Sequence, residues 1–527
     1  MPVLTGIDVL GVQRFVFASN RLRDVVTGSF LVHWSTSCQG ALSGLVTEKS
    51  ILLAGGGNAI VEFHTIDEAK VFAALYTRRL YDKVPGLEVV LVHEIFENGK
   101  LAVSLQNLQI KLAKAKTERL PSVPLSGLSV TASCLETGLP ATDFDSDETT
   151  VPISLNICKR RKKRKEANEY WYPFLKGKES FDFPLELDKL GRDKGDTSLI
   201  GIVHVDGNGV GAKIKEWLKE KVDSQVTDEN VRYEYKEWSQ AIDRLGQKAL
   251  QAAVDRIFQS VVRSSAGKKN KVSGGTPARL SFTLTEADDH GRWLLPIRPI
   301  LLGGDDLTFV CDGRIALDLA ETALCEFEHS NILHLGNITA SAGIAIVRVH
   351  SPFARGYELA EKLCRSAKVK LKKENDIGCA LDWHIGIARP GEPLADIRKR
   401  QYLENSFELT CRPYRLGIGE GDIKETWRWL SRMLLGDNNC GLRGDVWSER
   451  RNKVKALGEL VREGPDGVRS ALKAWRVVDN KLQLPSPIEN NGFIAVRTPL
   501  RDAVEILDLH LVLGDAAMTK TVEEKLP

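Results

Sequence analysis

Short runs of continuous apolar residues alternate along the chain with stretches in which apolar residues return every three or four positions, the pattern of buried strands interleaved with amphipathic helices. Residues 3–10 (VLTGIDVL) read as a strand, and a helical stretch follows from about Gly11 to Leu45. SILLAGGGNAIVEF reads as two strands joined at Gly55, Gly56, Gly57 and Asn58, where glycine and asparagine supply the positive φ angles of a tight hairpin. A helix from about Asp67 to Val84 and a strand over 87–94 complete the order β-α-β-β-α-β, which is the ferredoxin-like arrangement.

The same order returns from residue 198. SLIGIVHVD reads as a buried strand ending at Asp206, just before the turn GNGVG. In the long helix that follows, Trp238, Ile242, Leu245, Ala249, Ala253, Ile257 and Val261 fall at spacings of three and four and share one face. SSAGKKNKVSGGTP (264–277) reads as a basic, flexible loop, and PIRPILLGGDDLTFVC as a hairpin turning at Gly303, Gly304, Asp305 and Asp306. A helix near 315–328, a strand over 338–347 and a helix at about 356–373 close the unit. Two hairpins in corresponding positions, GGGN and GGDD, predict a duplicated α/β (α+β) domain in which the second copy keeps the carboxylates. The chain divides into a first copy at 1–114, an irregular insertion at 115–195, a second copy at 196–390 and a helical C-terminal region at 391–527, whose tryptophans 427, 429, 447 and 475 are read as core.

Composition narrows the class. The 527 residues are 43% hydrophobic and 27% charged, a globular balance, and no apolar run reaches the roughly 20 residues of a membrane span. The first residues lack the pattern of a signal peptide, so a cytoplasmic location is expected. Nine scattered cysteines give neither a disulfide framework nor a four-cysteine zinc site. The net charge of +3 does not by itself demand a nucleic-acid partner.

Local charge is more telling. The first strand of a ferredoxin-like sheet lies centrally beside the hairpin, so Asp206 is expected near Asp305 and Asp306. Unit charges 4 Å apart repel by about 4 kcal/mol at an effective dielectric constant of 20, and a divalent ion between the three carboxylates removes that cost. Magnesium or manganese, with oxygen ligands and substrate phosphates, is the expected cofactor. Gly207, Gly209, Gly211, Gly303 and Gly304 leave room for a triphosphate to approach the backbone, and Asn208 offers an amide oxygen. Lys213 and Lys368 are candidate triphosphate contacts. His204 and His384 are read as packed or hydrogen-bonded rather than as ligands. Lys159, Arg160, Arg161, Lys162, Lys163, Arg164 and Lys165 form an unbroken basic run followed by Tyr170, Trp171 and Tyr172. That run is either a nucleic-acid contact with stacking aromatics or a solvated loop anchored by them.

GIDVLGVQRFVFASNRLRDVVTGS, HVDGNGVGAKI, LLGGDDLTFV, SAGIAIV and ELAEKLCRSAK followed by LDWHIG resemble the large, polymerase-like subunit of type III CRISPR effector complexes, the Cas ten family, related to GGDEF-type cyclases. The resemblance covers roughly residues 1–110 and 196–390. It implies two palm domains, the first degenerate, and a second that converts ATP to cyclic oligoadenylate messengers in antiviral defence. It also implies metal ligation by Asp206, Asp305 and Asp306, and places Ser341 at a small polar position near the nucleotide. Guide RNA, target RNA and other effector subunits are the implied partners. No adjacent His-Asp pair occurs and the sequence opens on the first palm, so a shortened form without the nuclease domain is expected. SCLETGLPA (133–141) is similar to the family's zinc-binding segment, yet Cys134 and Cys158 alone do not supply four ligands, and Asn208 stands in place of the usual second acid. A diguanylate-type cyclase using GTP, a template-dependent polymerase and a non-catalytic RNA-binding scaffold are the competing readings.

Overall fold

The computed structural model describes residues 1–514 apart from 121, 123–126, 146–149, 191–197, 225, 264–269, 275–280, 287–290, 375–377, 387–388, 390, 418–425 and 439. The N-terminal half is built from β1 (Val3–Leu10), α1 (Val12–Val16), α2 (Leu22–Thr36), β2 (Ile51–Gly55), β3 (Asn58–Phe63), α3 (Ile66–Lys83), β4 (Glu88–Ile95) and α4 (Leu101–Glu118). Its sheet runs β2-β3-β1-β4, the ferredoxin-like order. Helix α3 starts where Thr65 Oγ1 accepts the Glu68 amide at 3.2 Å, an N-cap. The strand alternation of β1 splits its side chains: Ile7 packs with Phe72, Tyr76 and Leu80 of α3, while Gly6 lies under Leu108 and Leu112 of α4.

The insertion contains α5 (Leu155–Arg161) and α6 (Arg164–Glu169), and these overturn the solvated-loop reading of the basic run. Arg160 and Arg161 are 4% and 8% exposed. Arg161 pairs with Glu136, with Asp24 at 3.0 Å and with Asp145 at 2.6 Å, and Arg164 reaches Asp24 at 2.8 Å. A buried carboxylate needs a partner, so these arginines fasten the insertion to α2 instead of facing a nucleic acid. Lys163 is tied to Glu166 at 2.7 Å, and Lys162 and Lys165 point outward. Trp171 is buried and Tyr170 packs on His33, so two of the three following aromatics serve the core.

The second half contains β5 (Leu199–Gly207), α7 (Val210–Asp223), α8 (Asp228–Gln259), β6 (Ile297–Gly303), β7 (Asp306–Asp312), α9 (Ala316–Glu328), β8 (Ala340–Arg348), α10 (Phe353–Lys373), β9 (Ala380–Ile385), α11 (Leu394–Tyr402) and β10 (Tyr414–Arg415). Its sheet runs β6-β7-β5-β8-β9-β10, so its first four strands repeat the order of the first sheet. Six of the seven apolar residues expected on one face of α8 are buried there, the aliphatic Ile242, Leu245 and Ile257 each worth about 1.5–3 kcal/mol of burial. Val261 departs from the expectation, because the helix ends at Gln259 and Val261 opens a short strand, Val261–Arg263. Of the expected flexible loop, Asn270–Ser273 is also a strand, and 264–269 and 275–277 lie outside the described residues.

The C-terminal region is helical over Arg451–Leu460, Gly464–Val478 and Leu500–Ile506, with Trp427, Trp429 and Trp447 buried. It also contributes β10 to the second sheet. Beside that strand the fully buried Arg412 lies 4.9 Å from the Trp383 ring and 4.4 Å from the Tyr402 ring, and bridges Asp502 at 2.9 Å and Glu505 at 3.1 Å. No described helix is long and apolar enough to cross a membrane.

The two halves pack reciprocally. Helix α8 lies on β2 and α2 lies on β6, so each half covers the other's hairpin. Phe17, just beyond α1, sets its ring 4.3 Å from Tyr357 of α10, and α4 packs on α7. At the centre the hairpin tips touch through glycine: a Cβ on Gly303 would stand 2.9 Å from Gly56 Cα.

Candidate active site

The alternation of β5 decides which residues meet. Ile202, His204 and Asp206 face α10, while Gly201, Val203, Val205 and Gly207 face the other side of the sheet. Gly343 on the neighbouring strand lets the α10 backbone at Ala360 lie directly on the sheet, which brings Cys364 and Lys368 over His204 and Asp206. The Lys368 ammonium sits 2.6 Å from Asp206 Oδ2 and 2.6 Å from the Gly207 carbonyl oxygen. His204 Nδ1 lies 3.0 Å from Thr308 Oγ1 and 3.3 Å from Asp306 Oδ1, so the expected packed histidine also touches an acid of the hairpin. His384 is buried on β9, with burial pushing it down to about 3, and is no ligand in this geometry.

Asp305 takes the opposite face. Gly304 holds φ +67°, and Asp305 lies over Gly207 so closely that a Cβ there would be 2.8 Å from Asp305 Cβ. Gly246 lets α8 back the turn at the Gly304 carbonyl, and the Gly304 amide donates to Asp243. Burial, then repulsion from Asp206, pushes Asp305 up to about 6. Asp306 is raised too, chiefly by burial, with His204 opposing and Asp206 adding. The three carboxylates therefore flank the end of β5 from both faces of the sheet within mutual electrostatic reach. They do not close on one point: the described His, Cys, Asp and Glu groups that meet within 4.8 Å are His204, Asp206 and Cys364.

The donors suit a hard divalent cation. Asp306 Oδ1 is buried and accepts no hydrogen bond, and the oxygens of Asp206 and Gly207 already hold a cation, the Lys368 ammonium. Cys364 is unsuited, since burial pushes its thiol far up and it donates to the Ser341 carbonyl at 3.2 Å.

Other expected contacts are otherwise engaged. Asn208 donates to Thr339 Oγ1 at 3.1 Å and to the Gly378 carbonyl at 3.2 Å, and accepts from Ser341 at 2.9 Å. Asn208 and Ser341 thus brace the turn after β5. Lys213 donates to the carbonyls of Leu335 and Asn337, at 2.9 and 2.5 Å, and not toward the hairpin. Gly209 and Gly211 have open space where a Cβ would stand, whereas the space at Gly303 is taken by Gly56. A cavity of about 920 Å³ between the halves is lined by Gly303, Gly304, Asp305 and Asp243 and, from the first half, by Asp8 and Lys116. Asp8 and Lys116 were not singled out from the sequence. The signal was present in the repeat, because Asp8 pairs with Asn58 in the GGGN hairpin.

Residues 199–377 match the family model described as Cas10/Cmr2, second palm domain. The second half of the chain therefore resembles a Cas10/Cmr2 second palm domain. Among solved structures, the apo Csm1-Csm4 cassette is similar to this chain at 15% identity with a TM-score of 0.51, over 96% of this chain and 70% of that one. The Csm1-Csm4 cassette in complex with cA3 aligns at 13% identity and TM-score 0.49, over 97% and 70%. Csm1 of T. onnurineus aligns at 13% identity and TM-score 0.48, over 96% and 69%. The apo cassette establishes the shared fold across both halves. No curated protein matches the chain by sequence.

Proposed function

We propose that this protein is a metal-dependent nucleotidyltransferase that joins ATP into cyclic oligoadenylates, as the polymerase-like subunit of a type III effector complex with RNA and further subunits as partners. The observation that carries the reading is Asp305, which stands at once on the wall of the cavity and beside Asp206, with its carboxyl pushed up to about 6. A nucleotide in that cavity would bring its phosphates to the end of β5, where Gly209 and Gly211 leave the backbone open.

Asp206, Asp305 and Asp306 are the residues that would hold the cation, which supplies charge neutralisation for the attacking ribose hydroxyl and for the pyrophosphate leaving the α-phosphorus. Thr308 holds His204 beside Asp306, Gly246 and Asp243 fix the hairpin turn, and Asn208 with Ser341 fixes the turn after Asp206. The first half carries Gly57 and Asn58 in place of the two hairpin acids, so it forms a wall of the cavity and not a second reaction centre.

The test is mass spectrometry of products after incubation with magnesium or manganese and either ATP or GTP, with and without guide and target RNA. Cyclic oligoadenylate from ATP supports the reading. A GTP-derived product assigns the same carboxylates to a guanylate cyclase, an extended primer makes the chain a polymerase, and no product under any condition leaves an RNA-binding scaffold.

A further inference from the structure

The two halves carry the same acid–lysine couple at the same register. Asp8 stands opposite Asn58, and the Val205–Leu307 pair sets Asp206 level with Asp306. Helices α4 and α10 follow the equivalent strands β4 and β8. Each returns a lysine to the strand acid: Lys116 pairs with Asp8, and Lys368 with Asp206 at 2.6 Å. The surroundings differ. Asp206 has Asp305 and Asp306 beside it, whereas the first half offers Gly57 and Asn58.

The second couple has one further property. The Lys368 ammonium is held by two oxygens at once, the Asp206 carboxylate and the Gly207 carbonyl. These are donor types that a magnesium-class ion takes, and two cations a few ångströms apart do not share them.

We infer that Lys368 is a resident cation on the metal position, which a divalent ion displaces in order to use Asp206. This rests on the metal-centre reading above and adds a competitor to it. Binding of the ion frees the ammonium, on a helix that stays in place over the sheet, for the phosphates that arrive with the ion. Metal and nucleotide therefore bind more tightly together than either does alone. In the first half Gly57 and Asn58 stand where the hairpin acids would be, so Lys116 keeps its partner.

The experiment measures Mn2+ binding to the full chain by electron paramagnetic resonance of the free ion, without nucleotide, in wild type, Lys368→Met, Lys116→Met and the double variant Asp305→Asn with Asp306→Asn. Lys368→Met is expected to bind Mn2+ about tenfold more tightly than wild type, since a neighbouring unit charge has been removed. Lys116→Met is expected to match wild type, and the double aspartate variant to lose the site. A non-hydrolysable ATP analogue should tighten Mn2+ binding in wild type more than in Lys368→Met. Should Lys368→Met not fold by circular dichroism, Lys368→Gln, which keeps most of the stem and a polar end, takes its place. Equal or weaker Mn2+ binding in the lysine variant, with wild-type binding lost in the double aspartate variant, overturns the role of Lys368 and leaves the metal centre standing. Tighter binding that survives the aspartate changes also overturns it, because the ion then sits elsewhere. Absence of Mn2+ binding in wild type and variant alike removes the metal centre and this inference together.

Discussion

Gly303 and Gly56, 247 positions apart in sequence, meet backbone to backbone where the two hairpins cross: a Cβ on Gly56 would stand 3.3 Å from Gly303 Cα. Neither backbone can yield without parting the halves, and Gly56 also holds φ +60°. Gly303→Ala is expected to cost about 1–3 kcal/mol of stability and to widen the cavity, read by urea unfolding and by nucleotide affinity. A variant as stable as wild type with unchanged affinity would show that the contact carries no load.

The aspartates of the second hairpin make a pH-dependent contribution whose sign is fixed by their shift. Asp305 stands at about 6 against an ordinary value of 3.8, so the folded chain holds a proton that the unfolded chain has released. Its favourable contribution is complete below the ordinary value and is lost as pH rises through about 6. Asp305→Ala with Asp306→Ala is therefore expected to abolish synthesis while making the metal-free protein more stable at pH 8, by on the order of 1 kcal/mol. The gain should vanish near pH 4. Thermal unfolding across that range checks it, and a variant less stable at pH 8 would assign the pair a structural role.

Gly207 is the point on which Asp305 rests. Gly207→Ala places a methyl group against that carboxylate and is expected to lower product formation about 100-fold, the scale of an ångström misplacement at a reacting centre, while the fold persists. Product yield beside a circular dichroism spectrum separates the two effects.

The basic run should divide into two behaviours. Arg161→Met leaves Asp24 to Arg164 and Asp145 to Arg21, removing one arginine partner from each buried carboxylate, and is expected to cost about 1.5–3 kcal/mol. Lys162→Glu with Lys165→Glu, both on the surface, should stay within about 0.5 kcal/mol of wild type. If RNA contacts this region, the lysine pair and not the arginine changes its affinity, as a filter-binding titration would read.

The repeat was legible because periodicity is local: the strand before GNGVG, the GGGN and GGDD turns and the apolar face of α8 each occupy a few dozen contiguous residues. What escaped depended on partners far along the chain. Nothing in KRRKKRK distinguishes an arginine bound to Asp24, more than 130 positions earlier, from one in water. Asn208 suggested a ligand until Thr339, Ser341 and Gly378 accounted for its amide. Lys368 was read toward phosphates, but its reach to both Asp206 and the Gly207 carbonyl depends on how closely α10 lies on Gly343. The boundary placed at residue 390 missed β10, a two-residue strand too short to leave a pattern.

That small strand bears on modularity. With Arg412 wedged between Trp383 and Tyr402 and answered by Asp502 and Glu505, the sheet that carries Asp206 is finished by side chains up to 300 positions downstream. A minimal catalytic fragment cut before Arg412 would strip β9 of its neighbour and leave Trp383 bare. Grafting this palm onto a relative's scaffold therefore succeeds only if the tail travels with it.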